Sequence, residues 1–144
     1  MSKIVEIAKA EIGTTEEPKD SNKTKYGKWF NLQGVPWCGI FVSWCYAQRG
    51  KPLPNIGFKK GFAGCQTAVK YFKDNNRIVL NPNPGDIVFF DWNGDGRYDH
   101  TGIFVEWAQK NVSFYSVEGN TAIGNDSNGG EVMLRKRIKR SYIR

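Results

Sequence analysis

Histidine is nearly missing from this chain: His100 is the only one in 144 residues. Cysteine is little commoner, with three residues at positions 38, 45 and 65. Thiols so few and so irregularly spaced exclude a disulfide framework, and their odd number leaves at least one free. No CxxC pair and no HxxxH spacing occurs, which argues against a zinc site made from these four side chains. Long apolar runs are missing too. The opening MSKIVEIAKAEIG interleaves charged with apolar residues, so neither a signal peptide nor a membrane span is expected. Acidic residues are in short supply, 14 Asp and Glu against 21 Lys and Arg, which leaves a formal charge of +7. Such a charge draws the chain to a polyanion: nucleic acid, an anionic membrane or an acidic cell wall. No recognised nucleic-acid-binding motif accompanies it, so a nucleic-acid partner is not expected.

What is present suffices for one packed domain over residues 1–144. Forty per cent of the residues are hydrophobic and 14% aromatic, ample for a single core. Ile4, Ile7, Ala8 and Ile12 recur at helical spacing between a capping Ser2 and a terminating Gly13, so a first helix is expected over about 2–12. The polar stretch from Thr14 to Lys28, with Pro18, Asp20, Ser21 and Asn22, reads as a long surface loop. A second helix is expected from about Cys38 to Gln48, between Pro36 and Gly50, apolar on most faces and therefore buried. A shorter one covers Cys65 to Phe72. After Asn81-Pro82-Asn83-Pro84-Gly85 the character changes. DIVFFDW, HTGIFVEWAQ, NVSFYSVEG and EVMLRKRIKR are rich in β-branched and aromatic residues and divided by turn signals. Helices first and strands second give an α+β domain, helices packed on a C-terminal antiparallel sheet. In the last strand Arg135, Lys136, Arg137, Lys139 and Arg140 read as the solvated face of an exposed strand, with a dedicated docking patch as the alternative.

A buried cysteine is ordinarily a small hydrophobe. Cys38 departs from that because it falls at the expected N-terminus of a helix, where unpaired N–H groups and the helix dipole favour a thiolate. Cys45 and Cys65 lack comparable placement and read as core, or as a pair. His100 stands where a polar loop enters an apolar strand, a platform suited to presenting a base. A base needs a polar partner to fix its tautomer and stabilise its charge. Glu118 and Asn120 end the next strand, in SVEGN. If those two strands pair as a hairpin, the ends lie together.

The stretches PWCGIFVSWC, PGDIVFFDW, DHTGIFVEW and VEGNT, in this order, resemble the CHAP domain, the cysteine, histidine-dependent amidohydrolase/peptidase of bacteriophage endolysins and bacterial autolysins. The resemblance implies a papain-like α+β fold and cleavage of amide bonds in the peptide part of bacterial peptidoglycan by a monomer, with no membrane partner. It implies Cys38 as nucleophile, His100 as base, Glu118 as the orienting carboxylate and Asn120 in support. Gln33 is a candidate second oxyanion donor, as an upstream Gln is in papain-like enzymes. The bond cut is expected to be that of an N-acetylmuramoyl-L-alanine amidase, with a cross-bridge endopeptidase as the alternative. A phage lysin of this kind waits in the host cytoplasm until lysis, and such modules often precede a wall-binding domain. The rival from another class is a non-catalytic wall-binding or virion module that stacks Trp29, Phe30, Trp37 and Trp92 on sugars.

No cofactor is expected for the chemistry. One calcium reading is open: Asp91, Asn93, Asp95, Gly96 and Asp99 follow the D-x-[DN]-x-[DN]-G loop, although position twelve, ordinarily a bidentate Glu, is Gly102. The alternative is a polar turn, since Asn-Gly and Asp-Gly turn unaided.

Overall fold

The computed structural model describes residues 2–139. Four helices, α1 (Lys3–Ala10), α2 (Lys25–Phe30), α3 (Cys38–Gln48) and α4 (Cys65–Asp74), precede four strands, β1 (Ile87–Phe90), β2 (His100–Gln109), β3 (Ser113–Thr121) and β4 (Glu131–Ile138). The strands form one antiparallel sheet in chain order. This is the expected α+β, papain-like arrangement.

α3 is the central helix. Gly39, Ile40, Phe41, Val42, Ser43 and Cys45 are all buried, and the helix packs on β2 and β3 on one side and on α1 and α2 on the other. Burying each large apolar side chain stabilises the fold by roughly 1.5–3 kcal/mol. No polar stripe is needed on an element covered all round. α1 carries the opposite pattern, with Ile4, Val5 and Ala8 inward. Ser2 occupies its N-cap position but makes no capping bond with its side chain. Gly13, at φ +98°, turns the chain out of the helix.

The stretch from Thr14 to Lys28 is not the single surface loop expected. Gly13, Thr14 and Glu16 exchange backbone hydrogen bonds with Val132 and Gly130, so the chain runs along β4 there. It then enters α2, where Thr24 caps the start by accepting from Gly27 N–H at 3.1 Å. α2 has too few residues for periodicity to register. Its buried anchor is Tyr26, which stacks on Trp37 and meets Phe41 and Trp44 edge-on.

The sheet has two apolar faces. Phe89, Ile103, Val105, Val117 and Val132 join the helical core. On the other side Val88, Phe90, Phe104 and Phe114, with Trp92 and Trp107, form a smaller aromatic layer. The register opposes Phe90 to His100 and Phe104 to Ser116. The alternation of the strands then puts His100, Glu118 and Arg137 on the aromatic face with them.

Candidate active site

Cys38 is the first residue of α3, after Trp37 in the N-cap position. Trp37 is held by its indole N–H, which donates to Glu16 Oε2 at 2.8 Å. The chain that runs along β4 therefore fixes the entry to the helix. His100 opens β2, and its partner strand β3 brings Glu118 back to the same end of the sheet. Nε2 of His100 lies 3.0 Å from Glu118 Oε1, with both side chains fully buried. Neither ring nitrogen makes a straight hydrogen bond in this resting geometry. Nε2 faces the carboxylate, and the imidazole also interacts with the Cys38 side chain. Bonds of this kind often tighten only when substrate arrives.

Two glycines make room for this. A Cβ on Gly102 would stand 2.6 Å from Cγ of Glu118, so the carboxylate lies across β2 only because that position has no side chain. A Cβ on Gly119 would stand 2.8 Å from both the Trp37 ring and Phe41 Cβ, so the end of β3 rests directly on the head of α3.

Electrostatics complete the arrangement. The Cys38 thiol is held well below its ordinary value, first by a hydrogen bond from Cys65, then against burial by the charge of His100 and the Thr101 N–H. Burial opposes a charged imidazole, but the Cys38 sulfur and then Glu118 outweigh it and lift His100 to about 9. Burial likewise opposes the Glu118 carboxylate, which Arg137 and His100 nevertheless hold below its usual range. These directions favour a thiolate beside an imidazolium, backed by an ionised carboxylate. Such a pair is an activated nucleophile with its proton donor already in place.

Arg137 corrects the reading of the last strand. It is not on a solvated face: its Nε and Nη2 donate to the two Glu118 oxygens at 2.9 and 2.5 Å, and its Nη1 reaches Asp126 at 2.9 Å. Ser116 also donates to Glu118. The guanidinium lies over the rings of Phe90 and Trp92, the same rings on which His100 stacks. The missed signal was the arginine's register opposite Phe114, which faces the aromatic layer. Arg140 of the same basic run lies outside the described residues. The second residue missed is Cys65, which touches the thiol of Cys38. Cys45 is fully buried, and its thiol is pushed up by burial.

Asn120 is buried in a left-handed conformation at φ +59°. Its side chain accepts from Gly130 N–H at 3.0 Å and donates to Asn128 at 3.2 Å, so its described bonds brace the 125–130 turn behind Glu118. The Gln33 amide is engaged at both ends by the backbone of Thr24, accepting at 3.1 Å and donating at 3.0 Å. That bond pair ties the residues before Cys38 to the start of α2. Trp37 and Phe30 are buried and Trp92 stacks on His100, so three of the four aromatics suggested for sugar stacking serve the interior or the base.

The carboxylates of the 91–99 loop are engaged by the loop's own backbone. Asp91 accepts from the N–H groups of Asp95 and Gly96, Asp95 from Arg97, and Asp99 from Trp92. Among the described residues no group of three or more His, Cys, Asp and Glu is placed to hold a metal ion. In this geometry the loop is a turn braced by its own side chains that leads Trp92 and His100 into place.

No curated protein matches the chain. Residues 30–120, more than half of the sequence, match the family model of the CHAP domain. That span runs from the end of α2 to Asn120 and takes in Cys38, His100 and Glu118, while Arg137 lies beyond it. The chain belongs to the CHAP domain family.

Proposed function

We propose that this protein is a peptidoglycan hydrolase that cuts an amide bond of the cell-wall peptide through a thioester on Cys38, acting as an N-acetylmuramoyl-L-alanine amidase. The observation that carries this reading is the placement of His100, with Nε2 at 3.0 Å from Glu118 and its ring interacting with the Cys38 side chain at the head of a helix. Family membership supports amide hydrolysis of peptidoglycan in general. Among the described residues no helix is long and apolar enough to cross a membrane.

The Cys38 thiolate attacks the amide carbonyl, and the carbonyl electron pair moves onto oxygen. The Cys38 backbone N–H, in the first turn of α3 where helix N–H groups lack intrahelical partners, is the donor best placed for that oxyanion. Nδ1–H of His100 gives its proton to the departing amine as the C–N bond breaks. Neutral His100 then takes a proton from water, whose oxygen attacks the thioester and releases the acid and the thiolate. Glu118, kept ionised by Arg137, holds the ring and stabilises each imidazolium.

The test is digestion of purified walls by wild type and by Cys38→Ala, with mass spectrometry of the products. An amidase frees the amine of L-alanine, whereas a cross-bridge endopeptidase frees an amine within the stem or bridge. The second outcome would overturn the choice of bond and leave the chemistry intact. A variant without Cys38 that clears walls as fast as wild type would overturn both, and would favour a binding module with a contaminating hydrolase.

A further inference from the structure

Cys65 opens α4 as Cys38 opens α3, and both thiols are free and buried. The two side chains interact with each other. The contact is built by the backbone. Ser43 Oγ accepts from Phe62 N–H at 3.1 Å and donates to Gly39 O at 2.9 Å, so it ties the segment before α4 to the first turn of α3. A Cβ on Gly39 would stand 2.8 Å from the Phe62 ring and 2.9 Å from Ala63 O; only glycine lets that segment approach so closely. The same packing brings Phe62 and Ala63, just ahead of Cys65, against the first turn of α3, one residue after Cys38.

A hydrolase needs only one of these thiols. A serine at position 65 would offer the thiolate a stronger hydrogen bond, since S–H is a weak donor. What a second thiol adds is sulfur redox chemistry. We propose that Cys38 and Cys65 form an oxidative modification site that takes hydroperoxides and closes reversibly into a disulfide, which silences the hydrolase and shields its nucleophile from irreversible oxidation. The inference rests on reading Cys38 as a thiolate.

The Cys38 thiolate attacks the terminal peroxide oxygen. An S–O bond forms, the O–O bond breaks, and the leaving alkoxide or hydroxide takes the proton of the His100 imidazolium. Cys38 is now a sulfenic acid, oxidised by two electrons, and the peroxide is reduced to an alcohol or water. Neutral His100 then accepts the Cys65 proton. The Cys65 sulfur attacks that of Cys38, the S–S bond forms, and hydroxide leaves with the proton from His100 as water. Closure brings the two sulfurs, which already interact, to an S–S length of about 2.05 Å. A dithiol reductant restores both thiols by exchange.

The test is peptide mapping of the full chain after hydrogen peroxide, with free thiols alkylated under denaturing conditions. A Cys38–Cys65 linked peptide is expected, with Cys45 alkylated and all thiols recovered after dithiothreitol. In Cys65→Ser, Cys38 is expected to pass to sulfinic and sulfonic acids and to lose that recovery. If this variant does not fold, the wild-type map decides alone. Cys38 reaching those acids in wild type without a linked peptide, or linking only between chains, would overturn the proposal. The readout needs no wall digestion, so a failure of the hydrolase reading and a failure of this one are told apart.

Discussion

At the residue scale, Cys38, His100, Glu118 and Arg137 form a line in which each group favours the opposite charge on the next. With His100 lifted to about 9 and Cys38 held low, the productive pair exists between those two titrations. Wall hydrolysis should therefore rise as pH climbs through the lowered thiol value and fall as pH passes about 9, where the imidazolium loses its proton. A rate profile still rising at that pH would contradict the ion pair. Stability follows the same upper limb. A histidine whose proton is held more tightly when folded stabilises fully below 6.5 and loses that contribution as pH rises through about 9.

Arg137→Met should cost stability as well as rate, because it leaves the buried Glu118 charge without its bidentate partner. About 3 kcal/mol is expected by urea denaturation, and the acid limb of activity should move up as Glu118 becomes easier to protonate. Arg137→Lys should recover part of the stability, and a mutant with wild-type acid titration would reduce Arg137 to a scaffold role. Cys38 and His100 could be picked out in the sequence because their signals are local, a helix start and a strand start. Arg137 could not, since its place depends on which face of the sheet is covered. The alternation of MLRKRIKR is equally compatible with water and with an aromatic layer.

At the element scale, helix α3 and strand β2 could be placed from the sequence because each is long and sharply bounded. α2 is short, and its stability comes from Tyr26 against Trp37 rather than from its own periodicity, so a polar surround concealed it. The turn from Asp91 to Asp99 carries a calcium-loop spacing, yet its carboxylates are satisfied by backbone N–H groups. Spacing alone does not distinguish a ligand from an Asx-type turn. Thermal melts in calcium and in EGTA should coincide. A rise in melting temperature with calcium would assign an ion to that loop.

Gly102 makes a sharper case. Glu118 occupies the space a Cβ would need, at 2.6 Å. Gly102→Ala should displace the carboxylate and lower the hydrolytic rate about as much as Glu118→Gln, within about 10- to 10⁴-fold. Comparing kcat for the two variants on the same wall preparation checks it.

At the scale of the whole molecule, the chain folds an apolar central helix between smaller helices and a twice-covered sheet. The reactive end is where α3, α4, β2 and β3 meet. The formal charge of +7 suits attraction to an acidic wall, so binding of the chain to walls should weaken as salt rises. Sedimentation with walls at low and high salt measures that, and Cys38→Ala should behave as wild type there.

If Cys38 breaks a cell-wall amide, new amino termini must appear when purified peptidoglycan is digested, and their number can be counted. Wild type should release them, and Cys38→Ala should fall by at least about 1,000-fold while still sedimenting with walls. Equal release from both would contradict a nucleophilic role for Cys38.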